Sequence, residues 1–249
     1  MKIFIQRYIL LILFIPILIF ASFHLTGCGS GSNIKYPSIT ETATNEYRYG
    51  QVVWRDLVTP DPEKAAKFYK KVFGWQVQEV NSGDRQYWTF KNNGKPIGGM
   101  FLMSEAASKA GGEWVSSISV ASVDNTANLS KANGGSIVIK HYDMIGRGRT
   151  ALIYDPQKAP FILLHSSKGD PKQSEPEENG WLWTEDWSTN PDEAGKFYKT
   201  VFNSELENKM DDNREYTFIV NNGVRSAGII KNPMENIRSS WYRIYLCRM

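Results

Sequence analysis

"NPDEAGKFYKTVFN", residues 190–203, repeats a phrase that first occurs at residues 61–74 as "DPEKAAKFYKKVFG". In the first copy Asp61 offers a side-chain oxygen as a helix N-cap, and the following proline takes the first helical position, where its missing N–H costs nothing. Apolar residues then recur at helical spacing, and Gly74 suits a left-handed C-terminal turn. The stretch therefore predicts an amphipathic helix that the chain builds twice.

The repeat extends well beyond the helix, at a constant offset of 129 residues and without a gap. It runs from Trp54, which matches Trp183, to Gly99, which matches Gly228. Other matching pairs within it are Pro62 and Pro191, Phe68 and Phe197, Tyr69 and Tyr198, Val72 and Val201, and Tyr87 and Tyr216. Self-similarity at a fixed period indicates one supersecondary unit that is used more than once.

Each repeated unit combines one helix with four strands. A β-branched run, "QVVWRDLVT", precedes the first helix, and three short apolar runs with a tight "NNG" turn follow it. Residues 113–166 repeat this order of one strand, one helix and three strands with different amino acids, and Asp124 is their predicted helix N-cap. We therefore predict an α+β fold of tandem βαβββ units, with two units in a first module at 49–166 and one in a partial second module at 181–249.

The second module stops early when it is compared with the first. It reaches Trp241, the counterpart of Trp114, and only eight residues follow. The sequence thus predicts an apparently truncated second module. One uncovered βαβββ sheet would present an unpaired edge, so we expect possible self-association through this incomplete module.

The N-terminus has the pattern of an export signal. A basic start precedes an apolar run at 8–23, and "LTGC", Leu25 to Cys28, resembles the lipobox of bacterial lipoproteins. The resemblance implies removal of residues 1–27 as a signal peptide and lipidation of Cys28. Because Gly29 follows the cysteine, it also implies anchoring to the outer membrane, on the periplasmic side.

Two polar stretches divide the rest of the chain. Residues 28–48 are predicted to be a flexible tether, and residues 167–180 a linker between the modules. Removal of Lys2 and Arg7 with the signal leaves 27 basic residues against 26 acidic ones. This balance offers no basic patch, so nucleic acid is not an expected partner.

The tandem units resemble a known superfamily in their motifs. The phrase "DPEKAAKFYKKVFGW" in the first unit and "DPQKAPF" before the last strand of the second are similar to those of the vicinal oxygen chelate superfamily. This is the fold of glyoxalases, bleomycin-resistance proteins and extradiol dioxygenases. The pattern is most similar to its two-module, glyoxalase-related or hydroxylase-like branch.

The resemblance implies a cup between the two units of a module. In metal-using members, His or Gln on a first strand and Glu on a last strand hold one divalent ion there. The corresponding positions in this chain fall on Trp54, Val115 and Ile162, whose side chains cannot bind such an ion. We therefore predict no metal and no other cofactor, and two histidines, His141 and His165, are a weak basis for a different metal site.

Candidate site residues follow from the first strand and its neighbours. Asp56 lies two residues after Trp54, on the same strand face, and is the candidate catalytic acid or base; the alternative is a structural carboxylate held by hydrogen bonds. The predicted ligand pocket consists of Trp54, Tyr87, Trp88 and His165, although strand alternation sends Tyr87 and Trp88 to opposite faces. Arg147 and Arg149, in "GRGR", fit a solvated hairpin better than an anion site.

Three functions fit these observations. The first is a membrane-anchored protein that binds a small organic molecule in a metal-free cup. The second is a metal-independent enzyme with lyase, isomerase or hydroxylase-like activity, for which Asp56 is the support. The third is a truncated remnant with little activity.

Overall fold

In a computed structural model, the structure describes residues 35–81, 86–103, 112–211, 214–235 and 237–247. The predicted signal peptide at 1–27 and the predicted lipidation site Cys28 lie outside these residues. Within the described ranges, no helix combines the length and the apolar character needed to cross a bilayer.

The described residues form three βαβββ units and the first strand of another. The first unit contains β1 (Val52–Thr59), α1 (Pro62–Phe73), β2 (Gln76–Asn81), β3 (Tyr87–Asn92) and β4 (Lys95–Leu102). The second contains β5 (Glu113–Ser119), α2 (Val123–Ala132), β6 (Ser136–Met144), β7 (Gly148–Tyr154) and β8 (Pro160–Ser166). The third contains β9 (Trp181–Ser188), α3 (Pro191–Phe202), β10 (Glu205–Asp211), β11 (Arg214–Asn221) and β12 (Val224–Lys231), and β13 (Ser240–Tyr245) follows it.

Two sheets result from these units, and they confirm the predicted α+β fold. The first and second units share one eight-stranded sheet in the order β2-β3-β4-β1-β5-β8-β7-β6. Within each unit the first and last strands are parallel, and the two units meet at the antiparallel pair β1 and β5. The third unit and β13 form a five-stranded sheet, β10-β11-β12-β9-β13, in which β13 pairs with β9 as β5 pairs with β1.

The helix ends follow the sequence signals, with one exception. Asp61 Oδ1 accepts the backbone N–H of Lys64 at 2.9 Å, and Gly74 closes α1 at φ +72°, as predicted. The N-cap of α2 is Ser122 and not Asp124, because the serine hydroxyl accepts the N–H of Asn125. Asp124 instead lies in the first turn, where its carboxylate binds Arg149.

The two modules pack together through two apolar clusters. In one, the second unit contacts the third, and Phe161 lies against Phe197 and Tyr198 of α3. In the other, the first unit receives Trp181 and Tyr245 from the second module. Burial of this many large side chains across the contact makes the second module part of one core with the first.

The prediction of a flexible tether is wrong for residues 35–48. Ile39 is only 2% exposed, and it packs against the first module beside Val53, Trp54 and Leu164. The linker at 167–180 is also anchored at its start, because Asp170 is 1% exposed and accepts hydrogen bonds from several neighbours. Polar composition concealed both contacts, since single apolar or acidic residues in a polar stretch carry no periodic signal.

Candidate functional site

A buried hydrogen-bond network occupies the first module beside its central strand. Trp54 Nε1 donates to Asp56 Oδ1 at 3.0 Å, and the Tyr87 hydroxyl donates to the same oxygen at 2.8 Å. Burial raises the pKa of the Tyr87 hydroxyl, so this group stays protonated and acts as a donor at all physiological pH values. Three of the predicted site residues therefore do meet in the structure.

Arg147 completes the network from the turn between β6 and β7. Its Nη1 lies 3.3 Å from Asp56 Oδ2, and its Nη2 donates to the Tyr87 hydroxyl. The guanidinium also lies over the rings of Trp54 and Tyr87, at about 5 Å from their centroids. The solvated-hairpin interpretation is thus wrong for Arg147, whose side chain is 3% exposed, and fits Arg149, which is partly exposed and paired with Asp124 and Asp143.

The chain's own N-terminal segment covers this network. Tyr36 packs edge-on against Tyr87 with ring centroids 5.7 Å apart, and Arg147 Nε donates to the Pro37 carbonyl at 2.8 Å. The Tyr36 N–H donates to the Ile145 carbonyl at 2.8 Å. A Cβ at Gly146 would lie 2.4 Å from the Tyr36 carbonyl oxygen, so the turn needs glycine to admit the segment. The cup of the first module is therefore filled by residues of the protein itself.

A divalent metal ion does not fit these residues. Both oxygens of Asp56 already accept hydrogen bonds, and the positive guanidinium of Arg147 takes the place next to them. Among the residues that the structure describes, no three His, Cys, Asp or Glu side chains come together as a metal site. Val115 is buried apolar wall and Ile162 is partly buried, and neither side chain offers a ligand atom.

The second module repeats the core of the network in a more open form. Trp183 Nε1 donates to the Tyr216 hydroxyl at 2.6 Å, and that hydroxyl donates to Glu185 Oε1 at 2.7 Å. Asp56 and Glu185 thus each accept a hydrogen bond from the tyrosine at the same repeat position, which is Tyr87 in the first module and Tyr216 in the second. Gly228, like Gly99 in the first module, leaves room for this hydroxyl, because a Cβ there would lie 2.0 Å from it.

Two predicted pocket residues lie elsewhere. Trp88 packs with the aromatic cluster on the helix side of the sheet, beside Trp75 and Phe90, as strand alternation requires. His165 stacks on Tyr47 with ring centroids 4.7 Å apart, and its Nδ1 lies 2.9 Å from the Val120 carbonyl oxygen, so its ring is engaged outside the network. The other histidine, His141, lies 3.0 Å from Asp124 at the surface.

Sequence patterns did not predict that Arg147 joins this network or that residues 36–40 cover it. Arg147 lies 91 residues from Asp56 along the chain, and no local pattern reveals an ion pair of that separation. A signal did exist for the rest of the network. Trp54, Tyr87 and Gly99 all recur at the offset of 129, and Asp56 is matched by another acid, Glu185.

A cleft of about 800 Å³ lies between the two modules. One wall comes from β1 and the β3–β4 turn, the other from the start of β9 with Trp181 and Trp183, and residues 171–177 of the linker cover it. Trp54 borders both this cleft and the buried network. The volume suits a drug-sized organic molecule, and inter-domain clefts are common ligand sites.

Two arginines at the cleft have no salt-bridge partner among the residues that the structure describes, and the charged residues of its lining are Arg48, Arg55, Lys95, Lys172 and Arg225 against Glu175 and Glu177. Within the described ranges, no carboxylate lies within ion-pair distance of the side chains of Arg48 and Arg55, whereas Lys95 and Arg225 at the rim are paired with Glu177 and Glu207. Arg55 donates to Thr184 Oγ1 at 2.9 Å, and its Nε has no hydrogen-bond partner in the part of the chain that the structure describes. Burial lowers the pKa of Arg55 to about 10, so it remains charged at neutral pH.

Comparison with known proteins agrees with the fold. The family model described as the Glyoxalase/Bleomycin resistance protein/Dioxygenase superfamily matches residues 48–161. Residues 48–161 therefore belong to this superfamily, the vicinal oxygen chelate fold, and the third unit repeats their pattern.

Curated relatives cover both modules. "Putative glyoxylase CFP32" of Mycobacterium tuberculosis is 27% identical over 204 residues, which are 80% of this chain and 77% of the relative. "Anthracycline biosynthesis protein DauV" of a Streptomyces species is 26% identical over 169 residues, 61% of this chain and 60% of that protein.

Solved structures show the same fold at lower identity. The Mn(II)-bound glyoxalase from Novosphingobium aromaticivorans superposes with a TM-score of 0.55 at 16% identity over 75% of this chain. The chain spans 63% of the length of that structure. The 2,2',3-trihydroxybiphenyl 1,2-dioxygenase from Sphingomonas wittichii gives a TM-score of 0.51 at 11% identity, over 80% of this chain and 71% of that one.

Proposed function

We propose that this protein binds a small organic anion without a metal ion, in the cleft between its two modules. The observation that carries the proposal is the pair of guanidinium groups, Arg48 and Arg55, which have no salt-bridge partner among the described residues and lie beside a cavity of about 800 Å³. Trp181 and Trp183 line the same wall, and the Arg55 guanidinium lies 5.0 Å from the centroid of the Trp181 ring. This combination favours an aromatic or otherwise planar carboxylate.

The cup of the first module is a weaker candidate for the ligand site. A ligand there would have to displace Tyr36 and Ile39 and would meet the Asp56–Arg147 pair, whose polar atoms already bind one another. The cleft requires no such rearrangement. The names of the relatives, a putative glyoxylase and an anthracycline biosynthesis protein, fit organic molecules as ligands of the family.

The absence of a metal ion is part of the same proposal. Indole, guanidinium and aliphatic groups stand where a metal-using member needs imidazole and carboxylate. Purified protein should therefore contain no stoichiometric Zn, Mn, Fe or Ni. A stoichiometric metal that resists dialysis would contradict this part of the proposal.

The binding test compares charged and neutral ligands. Thermal-shift and calorimetric titrations with benzoate, 4-hydroxybenzoate and larger aromatic carboxylates should show saturable binding, and the matching amides should bind at least about tenfold more weakly, since a charge-assisted contact contributes 1.4 kcal/mol or more. Arg55→Gln should weaken carboxylate binding by a similar factor. Arg149→Gln, away from the cleft and paired with Asp124 and Asp143, is the matched control and should not. Equal binding by both variants, or no saturable binding by any carboxylate, would contradict the proposal.

An enzyme that uses Asp56 as acid or base has less support. Both oxygens of that carboxylate accept hydrogen bonds from Trp54, Tyr87 and Arg147, so proton transfer to a ligand would require their release. Turnover of a bound carboxylate that is lost in Asp56→Asn but retained in Arg55→Gln would favour this alternative. Trp54, Tyr87 and Asp56 would then act together in the cup.

Membrane anchoring through Cys28 also remains a proposal, supported by "LTGC" and the apolar run before it. Lipid on this cysteine would hold the protein at the periplasmic side of an outer membrane. In a Gram-negative host, the wild type should label with palmitate and sediment with outer membranes. Cys28→Ala should do neither, and unchanged fractionation of this variant would contradict the anchor.

A further inference from the structure

Four polar side chains meet where the first module packs against the second, and each module supplies one arginine and one hydroxyl group. Arg55 of β1 donates through Nη2 to Thr184 Oγ1 of β9 at 2.9 Å. Arg243 of β13 donates through Nη2 to Ser116 Oγ of β5, also at 2.9 Å. Both hydrogen bonds therefore cross between the modules, in opposite directions.

The repeat explains why the two hydrogen bonds mirror each other. Thr184 stands 129 residues after Arg55, at the same place in the repeat. Ser116 and Arg243 are also counterparts, since each follows the tryptophan of its strand by two residues. Within each module the arginine lies opposite the hydroxyl residue on the neighbouring strand, Arg55 opposite Ser116 and Arg243 opposite Thr184. These four residues therefore form one group, the arginine cluster.

The arginine cluster offers hydrogen-bond donors without matching acceptors. The Nε atoms of Arg55 and Arg243 are both buried and have no partner among the residues that the structure describes. Ser116 is 0% exposed and Thr184 is 1% exposed. Each hydroxyl accepts an arginine N–H, and within the described ranges no acceptor takes the hydroxyl proton. Because a buried donor without an acceptor is costly, a group that fits here must accept several hydrogen bonds.

The charge of the cluster favours the same kind of group. Burial and, after it, the positive charge of Arg55 lower the pKa of Arg243 to about 9, so both guanidinium groups stay charged at neutral pH. Glu113 acts on Arg243 only at longer range, and it is itself paired with Arg238. Two neighbouring buried cations are unfavourable unless an opposite charge lies between them.

We propose that the arginine cluster binds one inorganic anion, such as chloride or sulfate, between Arg55 and Arg243 at the contact of the two modules. The anion accepts both Nε–H groups and both hydroxyl protons, and it offsets the paired positive charge. Arg55 borders the cleft, and Arg243 borders a separate depression of about 390 Å³ beside β13, so solvent ions can reach the cluster. Arg243 does not line the cleft, which makes this site distinct from the one proposed there for an organic anion.

Stability in the presence of anions tests the proposal in solution. The melting temperature, followed by circular dichroism, should rise saturably with sodium bromide or sodium sulfate, by about 5–10 °C at a hundredfold excess over the dissociation constant. Arg243→Met removes one charge and should lose this saturable rise. Arg149→Met, which removes a surface arginine paired with Asp124 and Asp143, is the matched control and should retain it. General effects of salt act on both variants alike.

Crystals of the wild type soaked in sodium bromide locate the anion by its anomalous scattering, and this measurement does not depend on the folding of any variant. One bromide in contact with both Nε atoms is the expected result. A cluster without bromide would overturn the inference, and so would a saturable rise that Arg243→Met retains. An Arg243-dependent response to benzoate, but not to bromide or sulfate, would assign this arginine to the ligand of the cleft and would also overturn it. Failure here leaves the carboxylate test with Arg55→Gln unaffected, because Arg243→Met changes no residue that lines the cleft.

Discussion

Asp56 and Arg147 form a buried ion pair, in which Oδ2 and Nη1 are 3.3 Å apart and each side chain is 3% exposed. The pair contacts Trp54, one of the positions where the superfamily resemblance implies a metal ligand. Its two members belong to different units of the first module, so it links them across the sheet. A buried charge left without its partner is costly, and this gives the first prediction.

Asp56→Ala and Arg147→Met should each lower the free energy of unfolding by about 3–5 kcal/mol, because each leaves the other charge buried and unpaired. Urea unfolding followed by tryptophan fluorescence measures the change. Arg225→Met, in an exposed pair with Glu207, should leave the midpoint nearly unchanged. A midpoint of Asp56→Ala equal to that of the wild type would show that the network does not hold the module together.

Gly99→Ala should destabilise the protein by about 1–3 kcal/mol through overpacking. A Cβ at this position would lie 1.7 Å from the Tyr87 hydroxyl and 2.4 Å from Asp56 Oδ1, and both groups are fixed by their partners. Gly228→Ala should cost less, because Tyr216 is only partly buried and can tilt away. At the control position, Gly112, the nearest atoms are 3.4 Å from the added Cβ, so alanine there should have little effect. If Gly99→Ala lowers stability as little as Gly112→Ala does, the close packing around Gly99 would be contradicted.

Ile39→Ala should cost about 2–5 kcal/mol, the usual range for truncating a fully buried aliphatic side chain. A free tether predicts no effect at all, so the experiment separates the two descriptions of residues 35–48. Limited proteolysis should give the same answer: the wild type resists cleavage in this segment, and Ile39→Ala is cleaved there. Rapid cleavage of the folded wild type at 35–48 would support the prediction of a flexible tether.

Asp186→Leu should stabilise the protein above neutral pH. Asp186 is fully buried and its two oxygens have no hydrogen-bond partner among the described residues, while Leu57 occupies the matching position of the first unit. Burial raises the pKa of Asp186, and the nearby Asp155 raises it further; burial also raises the pKa of Asp155 to about 6.

The direction of the pH effect follows from these shifts. An unfolded aspartate loses its proton near pH 4, but the folded protein retains it, so folding stability falls as pH rises from about 4 through the raised pKa values. Unfolding at pH 5 and at pH 8 should show this loss in the wild type and a smaller one in Asp186→Leu, in which the buried Asp155 still contributes. Glu215→Gln, at an exposed position, should keep the wild-type slope. A wild-type stability that rises between pH 5 and pH 8 would contradict the assignment.

The sequence predicted the fold well because the repeat shows the same helix and strand signals twice. The caps at Asp61 and Gly74 and the matched tryptophans each agree with the structure, and each is a local signal. The site was less predictable, since its members come from distant parts of the chain. In the sequence Arg147 has the features of an ordinary turn residue, and only the fold of β6 and β7 brings it to Asp56. Ile39 is an isolated apolar residue in a polar stretch, so its burial could not be predicted.

The choice between pocket residues shows the same limit. Strand alternation correctly separated Tyr87 from Trp88, but it could not tell which of the two faces the network. His165 was selected by residue type alone, and in the structure it satisfies its ring nitrogen on the Val120 carbonyl. The cleft between the modules could not be predicted at all, because it depends on how the second module packs against the first.

The most direct test is a crystal structure of the mature protein soaked with the tightest-binding aromatic carboxylate of the panel. We predict the carboxylate beside Arg48 and Arg55, between the modules, with Tyr36 and Ile39 still seated over the Asp56–Arg147 pair. A ligand or a coordinated cation inside the first module, with that segment displaced, would contradict the account.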